Sequence, residues 1–484
     1  MATVSRPQPL QGRLRPPLRT AVDAAQLRRN GETEPSSLIA FALFILVTAV
    51  LLVRPAEILP DLQGIELYFY TIAVCCLFAG GDVLRSLIGR PIETQPVTLC
   101  LLALLIAVLL PHLVTANIGE AWRTGFHFFK NVVYFVLLLS LLNTWGRMQA
   151  FVRWLPAIAA VVMVLALLDF HGIVRLQAMQ AVQDSETSAW GEVTYFDRLR
   201  FTGIFNDPNE VCVWLAALLP LTLFNLIEDK SLLRRGLWLA MIVLFGYGIF
   251  LTKSRGGFLA MLTGLGVPVL VRYGWQRAAI IGALGMPALL LLFAGRQTDI
   301  SASGGTGQTR VQIWSEWLTR FRDNPLIGEG MAFQDEDPLK LAQMRAAGIG
   351  QGHVAHNSFL QAFADVGFVG GCLFLGMVGV ALWSVWRVGK HRGMPLDPGS
   401  RTLQPFLLGA AAAYSVGMMT LSLWITAPTY VILALAAAYP RLYRSDPPLA
   451  PVRLDVGLLG RFVIAGVAFL TAMYLFVRLF VNWG

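Results

Sequence analysis

Val97–Val114 reads VTLCLLALLIAVLLPHLV, eighteen residues without one Asp, Glu, Lys or Arg. A bilayer-crossing helix needs roughly 20 mostly apolar residues, and this run supplies them. Working outward, runs of the same kind recur near residues 38–53, 65–80, 127–143, 154–170, 209–227, 237–252, 257–271, 278–294, 366–386, 405–422, 426–440 and 462–481. The two runs that meet near Ala427–Pro428 also read as one tight hairpin, so the expectation is eleven to thirteen spans. The rest of the chain agrees. Of 484 residues, 56% are hydrophobic and only 14% charged, with a mean hydropathy of +0.62. A soluble chain of this length needs far more charge to cover its surface, and an aromatic content of 11% opposes disorder. The fold class is therefore all-α: a polytopic integral membrane protein. Cys75, Cys76, Cys100, Cys212 and Cys372 all fall within apolar runs without metal-ligand spacing, and read as small buried hydrophobes.

Residues 1–37 are polar and rich in Arg and Pro, with Arg6, Arg13, Arg15, Arg19, Arg28 and Arg29. They read as a cytoplasmic tail before an uncleaved first helix, not as a signal peptide. With that tail inside, 23 of the 38 Lys and Arg fall on the cytoplasmic side, and 19 of the 29 acidic residues on the other. The basic loops Lys230–Arg235 and Arg387–Arg401 obey the positive-inside rule. The net charge of +9 is then a topological signal that faces anionic lipid, and nucleic acid is not implied. Thirteen spans put the C-terminus outside. The organisation is a tail (1–37), an N-terminal set of helices (38–294) with an outward loop near 171–209, a large outward and partly helical loop (295–365), and a C-terminal set of helices (366–484).

The outward loops carry the candidate chemistry. In Gln308–Phe321 (QTRVQIWSEWLTRF), Ile313, Trp314, Trp317 and Phe321 recur at helical spacing, which suits an amphipathic helix lying on the membrane surface. Asn324–Pro325 should stop that helix, and Gly328 and Gly330 should form a turn. Beyond Asp335–Asp337, read as a solvated turn, a second short helix is expected near Leu339–Ala347, before His353 and His356. Arg198 and Arg200 precede FTGIFNDPN (Phe201–Asn209), Lys253 and Arg255 lie in LTKSRGG (Leu251–Gly257), and Arg310 opens the amphipathic helix. Cations at a membrane mouth tend to be functional, and the forked guanidinium matches phosphate oxygens. Several arginines at one face thus suggest a lipid phosphate or diphosphate. The glycines after Arg255 would let an anion approach a helix start. The blander alternatives are ion pairs of Arg198 and Arg200 with Asp197 or Asp207, and an Arg255 that snorkels to headgroups. His356, in HNSFL, is the acid/base candidate, with His353 second; a helix-capping histidine is the structural alternative. There is no HExxH, Walker loop or GxSxG, so neither a metal nor another cofactor is expected.

At these residues the chain resembles the O-antigen ligase and Wzy-type polymerase superfamily of bacterial envelope glycan enzymes. The resemblance rests on RFTGIFNDPNE (Arg200–Glu210), on LTKSRGG, and on a third group: Arg310 and Trp314, NPLIGEG (Asn324–Gly330), HNSFL and DVGFVGG (Asp365–Gly371). It covers roughly residues 195–440, and their order and shared outer face make the set specific.

The resemblance implies an inner-membrane, multi-pass glycosyltransferase that needs no nucleotide sugar. It would move a glycan from an undecaprenyl-diphosphate carrier to a hydroxyl of lipid A core, of another glycan or of a protein. Arg200 and Arg255 would hold the diphosphate, His356 (or His353) would activate or orient the hydroxyl, and Arg310 would support the loop or the donor. Arg198, Lys253, Asn209 and Asn357 complete the expected substrate-binding set. The rival reading is a transporter or flippase for lipid-linked or anionic glycans; no internal repeat of the kind transporters carry is visible.

Overall fold

The computed structural model describes residues 37–187, 193–293, 306–331 and 354–481. Five long helices open the described residues: α1 (Leu38–Val53), α2 (Leu67–Ile88), α3 (Pro96–Val114), α4 (Ile118–Leu141) and α5 (Trp145–Phe170), with a single helical turn at Pro55–Ile58 after the first. An antiparallel hairpin, β1 (Val182–Thr187) and β2 (Val193–Arg198), pairs Val182 with Arg198. Then follow α6 (Pro208–Glu228), α7 (Leu232–Thr252), α8 (Arg255–Leu292), α9 (Thr306–Asp323), α10 (Ser358–Lys390), α11 (Pro398–Met418), α12 (Ala427–Leu442) and α13 (Val456–Phe480). The helix starts follow from local chemistry. Proline, whose missing N–H costs nothing in the first turn, opens α3, α6 and α11. Asp207 also caps α6, and side-chain oxygens of Ser37, Asn117, Thr144, Ser254, Asn357 and Asp455 cap other first turns.

Among the described residues ten helices are long and apolar enough to cross a membrane, as an all-α polytopic membrane protein requires. The two expected runs at 257–271 and 278–294 lie on one continuous element, α8, broken at Gly274 (φ 77°, ψ 170°). Only glycine populates that backbone region without strain. The runs flanking Ala427–Pro428 are two helices, α11 and α12, separated by the loop 419–426. In α6, 78% of the span is buried by protein, against 22% in α2 and in α13. Thus α6 lies at the centre, whereas α2 and α13 form the rim that faces lipid.

The hydrogen bonds sort the connections onto two ends. At one, Met394–Pro395 pairs with Ser445–Asp446, Leu454 N–H donates to the Glu93 carbonyl (2.7 Å), and Arg441 donates to Gln95 (3.0 Å). The hairpin, the α7–α8 corner, α9 and the loop 419–426 gather at the other, the mouth.

The expected amphipathic helix is α9, but protein rather than lipid covers its apolar face. Ile313 and Trp317 are buried with Ala355, Leu360 and Ala364 at the start of α10 and with Met473 of α13. Trp314 Nε1 donates to the Ala355 carbonyl (2.9 Å). The helix ends at Asp323, ahead of Asn324–Pro325, and Gly328 and Gly330 have φ of 87° and 89°. The second short helix expected near Leu339–Ala347, the acidic triplet Asp335–Asp337 and His353 lie outside the described residues.

This turn and α10 interlock. α10 is broken at Val366 and Gly367 (φ 70°, ψ −174°), which frees the carbonyls of Ala364 and Asp365. Glu329 and Gly330 donate their N–H groups to them (2.9 and 3.0 Å), and Phe368 N–H donates to the Pro325 carbonyl (2.8 Å). Non-helical backbone at membrane depth survives only where protein satisfies it. The glycines are required from both sides: a Cβ on Gly328 would strike the Asp365 carbonyl, and one on Gly367 would strike the Leu326 carbonyl.

Candidate functional site

Three expected motifs are contiguous at the mouth. The chain after β2 lies along the end of α7: Leu199 N–H donates to the Leu251 carbonyl (3.2 Å), and Arg198 Nε donates to the Thr252 carbonyl (2.8 Å). Two residues later Lys253, itself in the left-handed region (φ 50°), turns the chain into α8. Its Nζ stands 4.5 Å from the Phe196 ring centroid. Arg255 is the first residue of α8; Ser254 Oγ caps that helix by accepting from Gly257 N–H (3.1 Å). The glycines allow close approach here. A Cβ on Gly256 would fall 2.5 Å from Thr420 Oγ1, and one on Gly257 would strike Cys212 Sγ of α6.

Thr420 belongs to the loop 419–426, which also receives the third motif. His356 N–H donates to Ser422 Oγ (3.1 Å). Ser358 Oγ donates to the Leu421 carbonyl (2.6 Å) and accepts from Leu423 N–H (2.7 Å). Asn131 of α4 donates to the Ile425 carbonyl (2.7 Å), and Trp424 Nε1 donates to Asp365 (3.1 Å). One eight-residue loop therefore holds the starts of α8 and α10 side by side. Ser358→Ala is expected to lower stability by about 2 kcal/mol or more, because it strands two buried backbone groups. Ser415→Ala, which removes only a bond to Ala411 on its own helix, should leave the thermal midpoint in detergent nearly unchanged.

The candidate side chains have distinct surroundings. Arg198 is buried; besides Thr252 it donates to Asp184 (3.2 Å) and to Asn209 Oδ1 (2.8 Å). Its ion-pair partner is thus the cross-strand Asp184, instead of Asp197 or Asp207, and Asn209 is held in turn by Asp207 (2.8 Å). Half-buried Arg200 donates to the Gln180 carbonyl (2.6 Å) and to Asn206 Oδ1 (2.7 Å). Arg310 is half-buried near the start of α9. Asn357 is fully buried; its Oδ1 caps α10 by accepting from Phe359 and Leu360 (3.1 Å each). His356, half-buried just before that cap, has φ 48°, left-handed backbone that few residues other than glycine adopt.

The structure brings further groups to this end that the sequence reading did not single out. Arg54 and Glu57 form an ion pair after α1, and Glu57 accepts from Gly203 N–H (2.7 Å). Arg54 is in electrostatic range of His127 and Lys130 of α4, and Glu66 in range of Lys130. A signal existed: His127 and Lys130 lie well inside a candidate span, and ionisable residues there face protein or water.

Taken together, fold and motifs define a multi-pass membrane protein whose arginine and histidine motifs gather at one mouth of the bundle. Residues 239–375 match the family model of O-antigen ligases, a Wzy-type domain that reaches from α7 into α10. The superfamily resemblance is thereby borne out over that stretch, which includes LTKSRGG, NPLIGEG, HNSFL and DVGFVGG, while Arg198, Arg200 and Asn209 precede it. No curated protein matches the chain. The match supports an enzyme of the O-antigen ligase or polymerase type, with lipid-linked glycan and acceptor as its general partners.

Proposed function

We propose that this protein is a periplasm-facing glycosyltransferase of the bacterial inner membrane, which joins a glycan from an undecaprenyl-diphosphate carrier to an acceptor hydroxyl. The acceptor is lipid A core, another glycan or a protein side chain. The observation that carries this reading is the shared loop: Gly256 rests on Thr420 and His356 on Ser422 two residues away, so the first residue of α8 and the imidazole-bearing turn before α10 are neighbours. Arg255 combines a permanent forked cation with a capped, glycine-flanked helix start, a setting made for a diphosphate.

In the reaction the acceptor oxygen attacks the anomeric carbon, and the bond from that carbon to the diphosphate oxygen breaks. The electron pair leaves with the diphosphate, whose growing charge Arg255 and Arg200 stabilise. His356 takes the hydroxyl proton. Arg198, tied to Asp184, Asn209 and Thr252, acts as a positioning residue that sets Arg200 and the α7–α8 corner. Lys253 and Arg310 add positive charge near the donor. The N-terminal tail faces the cytoplasm.

The test is transfer by purified protein in detergent, given lipid-linked glycan and acceptor, without nucleotide sugar and with chelator present. A new covalent glycan–acceptor product is expected. Its absence with every acceptor class, while the donor is bound, would refute the reading.

A further inference from the structure

Where α9 lies beside the outer part of α13, a groove with a cavity of about 560 Å³ remains between them. Its floor is apolar, with Leu318, Leu470 and Val477, and two arginines from different helices, Arg322 and Arg478, line it. Both arginines are exposed at their helix ends. Arg478 lies 3.5 Å from the Tyr474 hydroxyl, and Arg322 meets Asp323 only at 3.4 Å. The surrounding surface is that of a lipid-facing span: Tyr474, Leu475, Leu479 and Phe480 are all exposed, so the medium beside the groove is lipid. An arginine in the last turn of such a span reaches toward the headgroup layer, and Arg478 shares this groove with Arg322 of α9.

We propose that this groove is a binding site for an anionic glycerophospholipid, with an acyl chain along the apolar floor and the headgroup phosphate at Arg322 and Arg478. Guanidinium groups favour phosphate, the cavity takes an alkyl chain, and among the described residues no carboxylate lines it, Asp323 beside Arg322 lying outside the lining. One wall, α9, lies within the residues matched to the ligase family, but none of the side chains assigned to the transfer chemistry lines the groove, so the two proposals are separate. Failure of either leaves the other standing.

Native mass spectrometry of the full chain, titrated with equal amounts of phosphatidylglycerol and phosphatidylcholine, tests it. The wild type should retain phosphatidylglycerol about five-fold better, the yield of one or two charge-assisted contacts. Arg322→Gln with Arg478→Gln should remove that preference without changing the thermal midpoint, since both side chains are exposed. Leu470→Trp, which fills the floor, should lower retention of both lipids. Equal retention by the wild type, or a preference that persists in the double variant, overturns the proposal. Stronger retention of farnesyl phosphate than of phosphatidylglycerol overturns the phospholipid as occupant.

Discussion

Gly367→Ala should unfold the mouth of the bundle at markedly lower temperature than the wild type, with a loss of about 2–5 kcal/mol. Two costs add. At φ 70° and ψ −174° the backbone occupies a region almost reserved for glycine. The new methyl group would also strike the Leu326 carbonyl, in a place where neither strand of backbone can yield without losing the bonds from Glu329, Gly330 and Phe368. Gly328→Ala meets the same interlock from the other side, against the Asp365 carbonyl, and should cost a similar amount. Gly379→Ala, in the same helix with nothing within 4 Å of the added carbon, is the control and should be neutral or slightly stabilising. Thermal midpoints and monodispersity in detergent report all three. Equal midpoints for Gly367→Ala and Gly379→Ala would refute the interlock.

The second large effect concerns the reaction. His356→Asn is expected to reduce kcat by about 10²–10⁴-fold, the usual worth of a general base, with little change in stability. Asparagine is the informative substitution because it tolerates the left-handed backbone that His356 adopts (φ 48°), so the turn before α10 survives while the imidazole is lost. Arg255→Ala should lower kcat by about 10²–10³-fold through lost stabilisation of the leaving diphosphate. Arg255→Lys, which keeps the charge and loses the fork, should fall between that variant and the wild type. A loss confined to KM would make Arg255 a binding group alone and contradict its part in the bond-breaking step.

Much of the fold is written in hydropathy, since length and apolarity suffice to mark a span. The limits of α9 were equally legible: Ile313, Trp314, Trp317 and Phe321 mark one face, and Asn324–Pro325 the stop. What covers that face was not, because Met473 and Phe469 lie some 150 residues downstream, and periodicity cannot tell protein from lipid. The partner of Arg198 escaped for a related reason. Asp197 and Asp207 are near in sequence, whereas Asp184 becomes a neighbour only through the hairpin register. Asn357 looked available for substrate, yet its side chain caps α10. The loop 419–426 was hidden because Leu421, Leu423, Trp424 and Ile425 read as membrane; the hint was the polar set Thr420, Ser422 and Thr426 among them. Within the candidate site, the positions of the arginine and histidine motifs were legible, and the loop that joins two of them was not.

The most direct measurement counts products. Full-length protein in lipid nanodiscs receives a polyprenyl-diphosphate-linked glycan and an acceptor, and both the joined glycan and the freed polyprenyl diphosphate are quantified over time. One molecule of free polyprenyl diphosphate per glycan joined is the predicted result, with both quantities collapsing together in Arg255→Ala and His356→Asn. Glycan still attached to its lipid after all of the donor has been engaged, or full product formation by both variants, would contradict it.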